Sequence, residues 1–380
     1  MKKIPSKNFR VGSKYLQMIR DYFGDMEIYD PFHGCDAGIG YLNLIKSIAP
    51  MFNSCMTEDD VDYLVYRAVC KIEAQHMGNA LEGDLQRRLE VADEVIACVV
   101  EALESYPRDY EFRMSLPGFS KLPVGRYQLH ESIWLEFVPD QERKANLLIN
   151  ARGFWREGVE NSIVADCLRK SKIFSYLMHV GPLTKPQIKF RNSVAEFRDL
   201  KTLNVYDFIL PEGMAQLVGS ISLNMTSLFS SVKKRTYTEE DFAASMEIEA
   251  RDFRKYFATL DAQDNSRIAT AIEWYEDARA VSNQTVALLE VCIGLEALLG
   301  EEGNMADMTN RLCDRFAFTL GKSPGERSHL FAQYKTLLSV RGKLVHAKIA
   351  RLDTQGSVVL GGAYGMLQRL ISHELKLAIV

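Results

Sequence analysis

The sequence predicts an α+β protein: a mixed helical and β N-terminal region followed by an all-α helical bundle. Three observations carry this. Apolar residues recur at helical spacing up to about residue 104. From Tyr110 the texture changes to short aromatic and β-branched runs broken by Gly and Pro. From Thr238 long apolar-periodic segments return, each bounded by helix start and stop residues. At 380 residues the chain exceeds a single compact domain. The predicted division is 1–109 (mostly helical), 110–237 (β-containing) and 238–380 (helical).

Residues 57–104 read as two helices. Thr57 followed by Asp60 has the form of a capping box ahead of Val61, Leu64, Val65, Ala68 and Val69, and Leu85 to Leu103 repeats the apolar period. Pro107 closes this region. The runs YEFRMSL, GRYQLHESIWLEFV, ANLLINARGFW and PQIKFR then predict strands. Helical signals resume after Pro211 and dominate from Thr238, where Thr238 and Asp241 again have capping-box spacing.

Within 238–380 the next helix is predicted from Ser266 to Ala280, with Ile268, Ala271, Ile272 and Tyr275 on one stripe. The segment TVALLEVCIGLEALLG is apolar on nearly every side except at Glu290 and Glu296, which marks the helix at the centre of a bundle. Another helix is predicted from about Met305 to Leu320, stopped by Gly321. The clearest start signal belongs to the one after it: Ser323, Pro324 at the first helical position, and Glu326 completing a capping box. A last helix, from about Val358 to Leu377, is predicted despite Gly361, Gly362 and Gly365.

Composition narrows the function. With 47% hydrophobic and 25% charged residues the chain is globular rather than disordered. A net charge of -4 excludes a protein that wraps nucleic acid over its whole surface, so any RNA contact has to be local. The N-terminal lysines are not followed by a signal-peptide core, and no apolar run approaches membrane-spanning length, so a soluble cytoplasmic protein without membrane contact is expected. The seven cysteines contain no CxxC pair; they read as reduced, mostly buried thiols rather than a zinc site or disulfide framework. His33 and Cys35, within DPFHGCDAGIG, read as part of a turn. His76, His130, His179, His329 and His373 have no partner constellation and read as structural.

One segment stands apart. Between Lys335 and Arg351 lie Lys335, Arg341, Lys343, His346, Lys348 and Arg351, with no carboxylate among them. Such a run is either a solvated helical face or a local phosphate-binding patch. Five residues of helix turn through roughly 140°, so Arg341 and His346 occupy different faces but flank one groove that a guanidinium can reach. Gly342 lies one turn before His346, where a side chain would cover the approach to the imidazole. A glycine there either leaves the ring open, starts a helix, or packs closely against a neighbour.

The run from TVALLEVCIGLEALLG, through NRLCDRFAFTLG, to YKTLLSVRGKLVHAK resembles the Apea-like branch of the HEPN superfamily. There an apolar helix with a Leu-Glu-Ala-Leu-type ending precedes an Arg-containing helix and an Arg-x4-His motif. The resemblance covers the C-terminal region and not the chain before about residue 235. It implies a helical HEPN bundle that cleaves RNA as a metal-independent endoribonuclease, with no cofactor. His346 would be general base toward a ribose 2′-hydroxyl or acid toward the leaving 5′-oxygen. Arg341 would hold the scissile phosphate. Lys335, Lys343, Lys348 and Arg351 would supply further RNA contacts. It also implies a homodimer, each protomer giving one Arg and one His to a shared cleft, leaving 2′,3′-cyclic phosphate ends. Proteins of this type act as prokaryotic antiviral or toxin effectors, so the N-terminal half is expected to sense a trigger or a regulatory partner.

Glu296 is a third candidate, because a carboxylate on an apolar helix needs a partner. It either orients Arg341 or His346, or pairs structurally with Arg311 or Arg315. Two rival functions stay open: a non-catalytic HEPN module that binds RNA or nucleotide within a larger complex, favoured by Gly342 and Ser339 where active relatives often carry a polar and an aromatic residue, and a sensor of a small phosphorylated ligand.

Overall fold

The structure is a computed structural model that describes residues 7–25, 39–76, 85–117, 124–137, 144–155, 162–180, 193–199, 216–223, 239–300 and 308–379. It is an α+β protein with a C-terminal helical region. The chain separates into two compact units. One comprises Met1–Glu111, Asn150–Asp166 and Phe197–Gly219; the other comprises Phe112–Ile149, Cys167–Glu196 and Ser220–Val380.

The first unit is built on α1 (Ser13–Phe23), α2 (Ile39–Ile48), a single 3-10 turn (Ala49–Phe52), α3 (Glu58–His76) and α4 (Leu85–Glu104). The expected capping box forms at the start of α3. Thr57 Oγ1 accepts from the Asp60 N–H at 3.2 Å, and Asp60 Oδ2 accepts from the Thr57 N–H at 2.9 Å. Reciprocal capping of this kind is worth about 1 kcal/mol. The predicted stripe Val61, Leu64, Val65, Ala68 and Val69 faces inward and packs with Val95, Val99, Phe52 and Phe154 in one core.

The strands are β1 (Arg108–Pro117), β2 (Gly125–His130), β3 (Ile133–Phe137), β4 (Lys144–Gly153), β5 (Ser193–Asp199) and β6 (Gln216–Leu223), in the order β2-β3-β4-β1-β5-β6. β2 pairs antiparallel with β3 from Gly125↔Phe137 to His130↔Ile133, and β3 with β4 from Phe137↔Ala145 to Ile133↔Ile149. Ile133, Leu135 and Phe137 are buried and alternate with half-buried Trp134 and Glu136, the period-two pattern of a strand.

Two stretches depart from the sequence reading. Residues Ser162–Val180, inside the region read as β-containing, form helix α5. Its Ile163, Val164, Ile173 and Phe174 are β-branched or aromatic and suggest strand by composition, but among its buried residues Val164, Cys167, Ser171, Phe174 and Leu177 recur at helical spacing. Conversely, helical signals were expected after Pro211, and Gln216–Leu223 is strand β6. The run PQIKFR, residue Thr238 of the second capping box, and the His33–Cys35 turn lie outside the described residues.

The helical region contains α6 (Glu239–Asp261), α7 (Ser266–Ala280), α8 (Gln284–Leu299), α9 (Met308–Leu320), α10 (Pro324–Val345) and α11 (Thr354–Ile379). As its all-round apolarity suggests, α8 packs against α7, α9, α10 and α11. Gly294 lets α8 approach α7 and α11 closely: a Cβ there would sit 2.8 Å from Leu367 Cδ2 and 3.3 Å from Trp274 Cβ. At the end of α8 the Arg267 guanidinium donates to the carbonyls of Ala297, Leu298 and Gly300, answering the orphan acceptors and negative dipole of a helix C-terminus. α10 starts as its sequence says. Ser323 Oγ accepts from the Glu326 N–H at 3.2 Å, and Glu326 Oε2 accepts from the Lys322 N–H at 3.0 Å. No described helix is long and apolar enough to cross a membrane.

Between α5 and α7 runs a polar seam: Lys172 pairs with Asp277 at 2.8 Å, Arg169 with Glu273 at 3.4 Å, and the Ser175 hydroxyl donates to Glu276 Oε2 at 2.7 Å. Glu276 is buried and its other oxygen, Oε1, has no hydrogen-bond partner among the described residues. Burial pushes its carboxyl up to about 7; Arg279, the Ser175 hydrogen bond and Lys172 pull the other way, while Asp277 reinforces the rise.

Candidate functional site

The candidate residues converge on α10, the turn that follows it, and one position of α8. At about 100° per residue, Leu330, Tyr334, Leu337 and Arg341 share one face of α10. The first three are buried, so this face looks into the bundle, and Arg341 extends it by one turn. There Arg341 Nη2 lies 3.4 Å from Glu296 Oε1 of α8. This places the Glu296 carboxylate beside the Arg341 guanidinium. The contact is loose: the side chains are 37% and 33% exposed, and a pair of that exposure is worth roughly 0–1 kcal/mol. Such a pair keeps a guanidinium in place without locking it there.

His346 sits elsewhere. Lys335, Lys343 and His346 fall on the opposite face, and all three are exposed. The imidazole is at the C-cap of α10, with no hydrogen bond or ion pair to its ring among the described residues, and about 140° around the axis from Arg341. Arg341 and His346 are therefore neighbours along the helix and not in contact.

The turn that displays His346 is a Schellman motif: the Lys348 N–H donates to the Lys343 carbonyl at 2.8 Å and the Ala347 N–H to the Leu344 carbonyl at 3.0 Å. The motif requires a left-handed residue, usually glycine, and here Ala347 takes it at φ 53°. A β-carbon in that conformation costs about 1 kcal/mol or more. Beyond the turn, the Leu352 N–H donates to Thr285 Oγ1 at 3.2 Å and Ser357 Oγ to Gln284 Oε1 at 2.6 Å, which ties the following loop to the start of α8.

Gly342 lies inside α10 rather than at its start, and among the described residues a Cβ there would meet nothing within 4 Å. The space beside it is open among the described residues. Lys335, Lys348 and Arg351 are exposed, Lys335 over the Phe331 ring at 5.7 Å, so the carboxylate-free run does present its charge to solvent.

Beneath Arg341 lies a layer the sequence did not single out. Tyr334 is fully buried and its hydroxyl has no partner among the described residues. Burial raises its pKa first, Cys292, Glu296 and Cys313 add to the rise, and Arg341 opposes it. The buried Cys292 thiol is pushed up to about 12 by burial and by Glu296, again opposed by Arg341. The signal available in the sequence was the spacing of seven between Tyr334 and Arg341, two helical turns. Among the other histidines, His76 pairs with Glu94 at 2.9 Å and His130 packs on Phe257. No cluster of His, Cys, Asp and Glu suited to a metal ion occurs among the described residues. Comparison with protein-family models, with curated proteins and with solved structures returns no match to this chain.

Proposed function

We propose that this chain is a metal-independent endoribonuclease of the HEPN type, working as a homodimer and serving as a prokaryotic antiviral or toxin effector. The supporting observation is the arrangement around α10: a guanidinium held loosely by Glu296 and an imidazole on the capping turn with no ring partner among the described residues, in a run from Lys335 to Arg351 that adds Lys343 and Lys348 and itself contains no carboxylate. Arg341 leaves Glu296 to hold the scissile phosphate and stabilises the charge that develops on it. One His346 takes the proton of the ribose 2′-hydroxyl as its oxygen attacks phosphorus. The His346 of a second copy gives a proton to the departing 5′-oxygen, leaving a 2′,3′-cyclic phosphate and a 5′-hydroxyl. A second copy is needed because one imidazole cannot serve both ends of the reaction at once. The N-terminal half restrains or triggers cleavage through a regulatory partner.

A second reading has its own observation. Arg341 and His346 lie about 140° apart and Arg341 already has a carboxylate partner, which suits a module that binds RNA without turning it over. One experiment separates the two. Wild-type and His346→Ala proteins are incubated with total RNA, with and without a chelator. Chelator-resistant cleavage that vanishes in the variant supports the nuclease. RNA retained by both proteins and cut by neither supports the binding module.

A further inference from the structure

Tyr334 packs its ring against Phe316 of α9 at 5.1 Å between centroids, and its hydroxyl is the one polar atom of a side chain otherwise suited to that core. A buried hydroxyl without a partner costs about 1–3 kcal/mol, so phenylalanine would make the more stable protein here. An unpaired buried oxygen in a native fold calls for another explanation. Its surroundings supply one, because Tyr334 and Arg341 share the inward face of α10 two turns apart, and Arg341 pairs there with Glu296 of α8 at 3.4 Å.

When Arg341 turns to a phosphate, Glu296 loses its cation. A carboxylate without its cation beside an anion site, one-third exposed and so only partly answered by water, opposes binding as the phosphate adds further negative charge. A hydroxyl that can donate to the abandoned carboxylate removes most of that opposition, and it has to be otherwise unengaged to do so.

We propose that Tyr334 is a positioning residue for partner exchange: in the free protein Glu296 is held by Arg341, and when Arg341 engages an RNA phosphate the Tyr334 hydroxyl donates to Glu296 in its place. The inference rests on the reading of Arg341 as a phosphate ligand. It adds that the waiting hydroxyl sets how readily Arg341 is released, and it accounts for a tyrosine where packing alone favours phenylalanine.

The test is a double-mutant cycle on RNA affinity. The probe is a fluorescein-labelled 2′-O-methyl oligouridylate, which cannot supply the attacking hydroxyl, and binding is read by anisotropy. Tyr334→Phe is expected to melt at or above the wild-type temperature and to bind about three- to fivefold more weakly. In a Glu296→Gln background, where no carboxylate is left to be satisfied, adding Tyr334→Phe is expected to change affinity less than twofold. Equal losses in both backgrounds would mark the hydroxyl as merely structural and overturn the proposal. Wild-type affinity in Tyr334→Phe, with Arg341→Ala binding at least tenfold more weakly, would overturn it while leaving the phosphate reading intact. Wild-type affinity in Arg341→Ala would remove the phosphate reading and this proposal together.

Discussion

Replacing Glu276 by glutamine is expected to change how stability depends on pH more than it changes the fold. In the folded protein its carboxyl rises from the ordinary 4.5 to about 7, mainly because burial disfavours the charged form. The folded state therefore binds this proton more tightly than the unfolded chain does. Stability from this group is fully present below about pH 4.5 and falls as pH rises through about 7, by roughly 3 kcal/mol in total. Arg279, Lys172 and the Ser175 hydroxyl already favour the ionised form and Asp277 opposes it, so the value includes their effects. Glutamine keeps the size and can accept from Ser175, but has no charge to desolvate. Urea unfolding of both proteins at pH 5, 6, 7 and 8, followed by tryptophan fluorescence, isolates this group, because every other titration appears in both curves. The stability of the variant relative to wild type should rise by about 2–3 kcal/mol from pH 5 to pH 8. Parallel curves across that range would refute the reasoning.

Other changes probe the region around the candidate site. Gly342→Ala places a methyl in open space inside α10 and should raise the stability of that unit by about 0.5–1 kcal/mol, read as an increase in melting temperature. If the gap is the approach to His346, the same variant should lose RNA binding while it gains stability. Ala347→Gly relieves the left-handed conformation at φ 53° and should stabilise by about 1 kcal/mol in urea unfolding; an unchanged midpoint would show that the turn relaxes without it. Gly294→Ala forces a β-carbon to within 2.8 Å of Leu367 and should destabilise by about 1–3 kcal/mol, with a fall in melting temperature that a compensating Leu367→Ala change partly reverses.

Much of the helical architecture was legible because its signals are local. The Thr57–Asp60 and Ser323–Glu326 caps form where the residue spacing puts them, since an N-cap side chain bonds to a backbone N–H three residues on. The central role of α8 followed from its lack of a polar face, and the glycines of α11 did not interrupt it. Helix α5 was missed for a physical reason as well: its β-branched and aromatic content describes a buried surface, and burial is shared by strands and core helices. For the candidate site, residue types and spacing named Arg341, His346 and Glu296, and helix geometry already placed the first two on different faces.

What the sequence alone determined is therefore what depends on neighbours along the chain: capping, helical periodicity, the charge of the Lys335–Arg351 run and the angle between Arg341 and His346. Only the tertiary structure decided that Glu296 lies against Arg341, that Ala347 takes the left-handed position closing α10, and that, among the described residues, Gly342 faces open space and the buried Tyr334 hydroxyl has no partner. The division has one cause. Backbone hydrogen bonds and side-chain period act over a few residues, whereas desolvation and ion pairing depend on what other helices bring within a few ångströms, and that is settled only by packing.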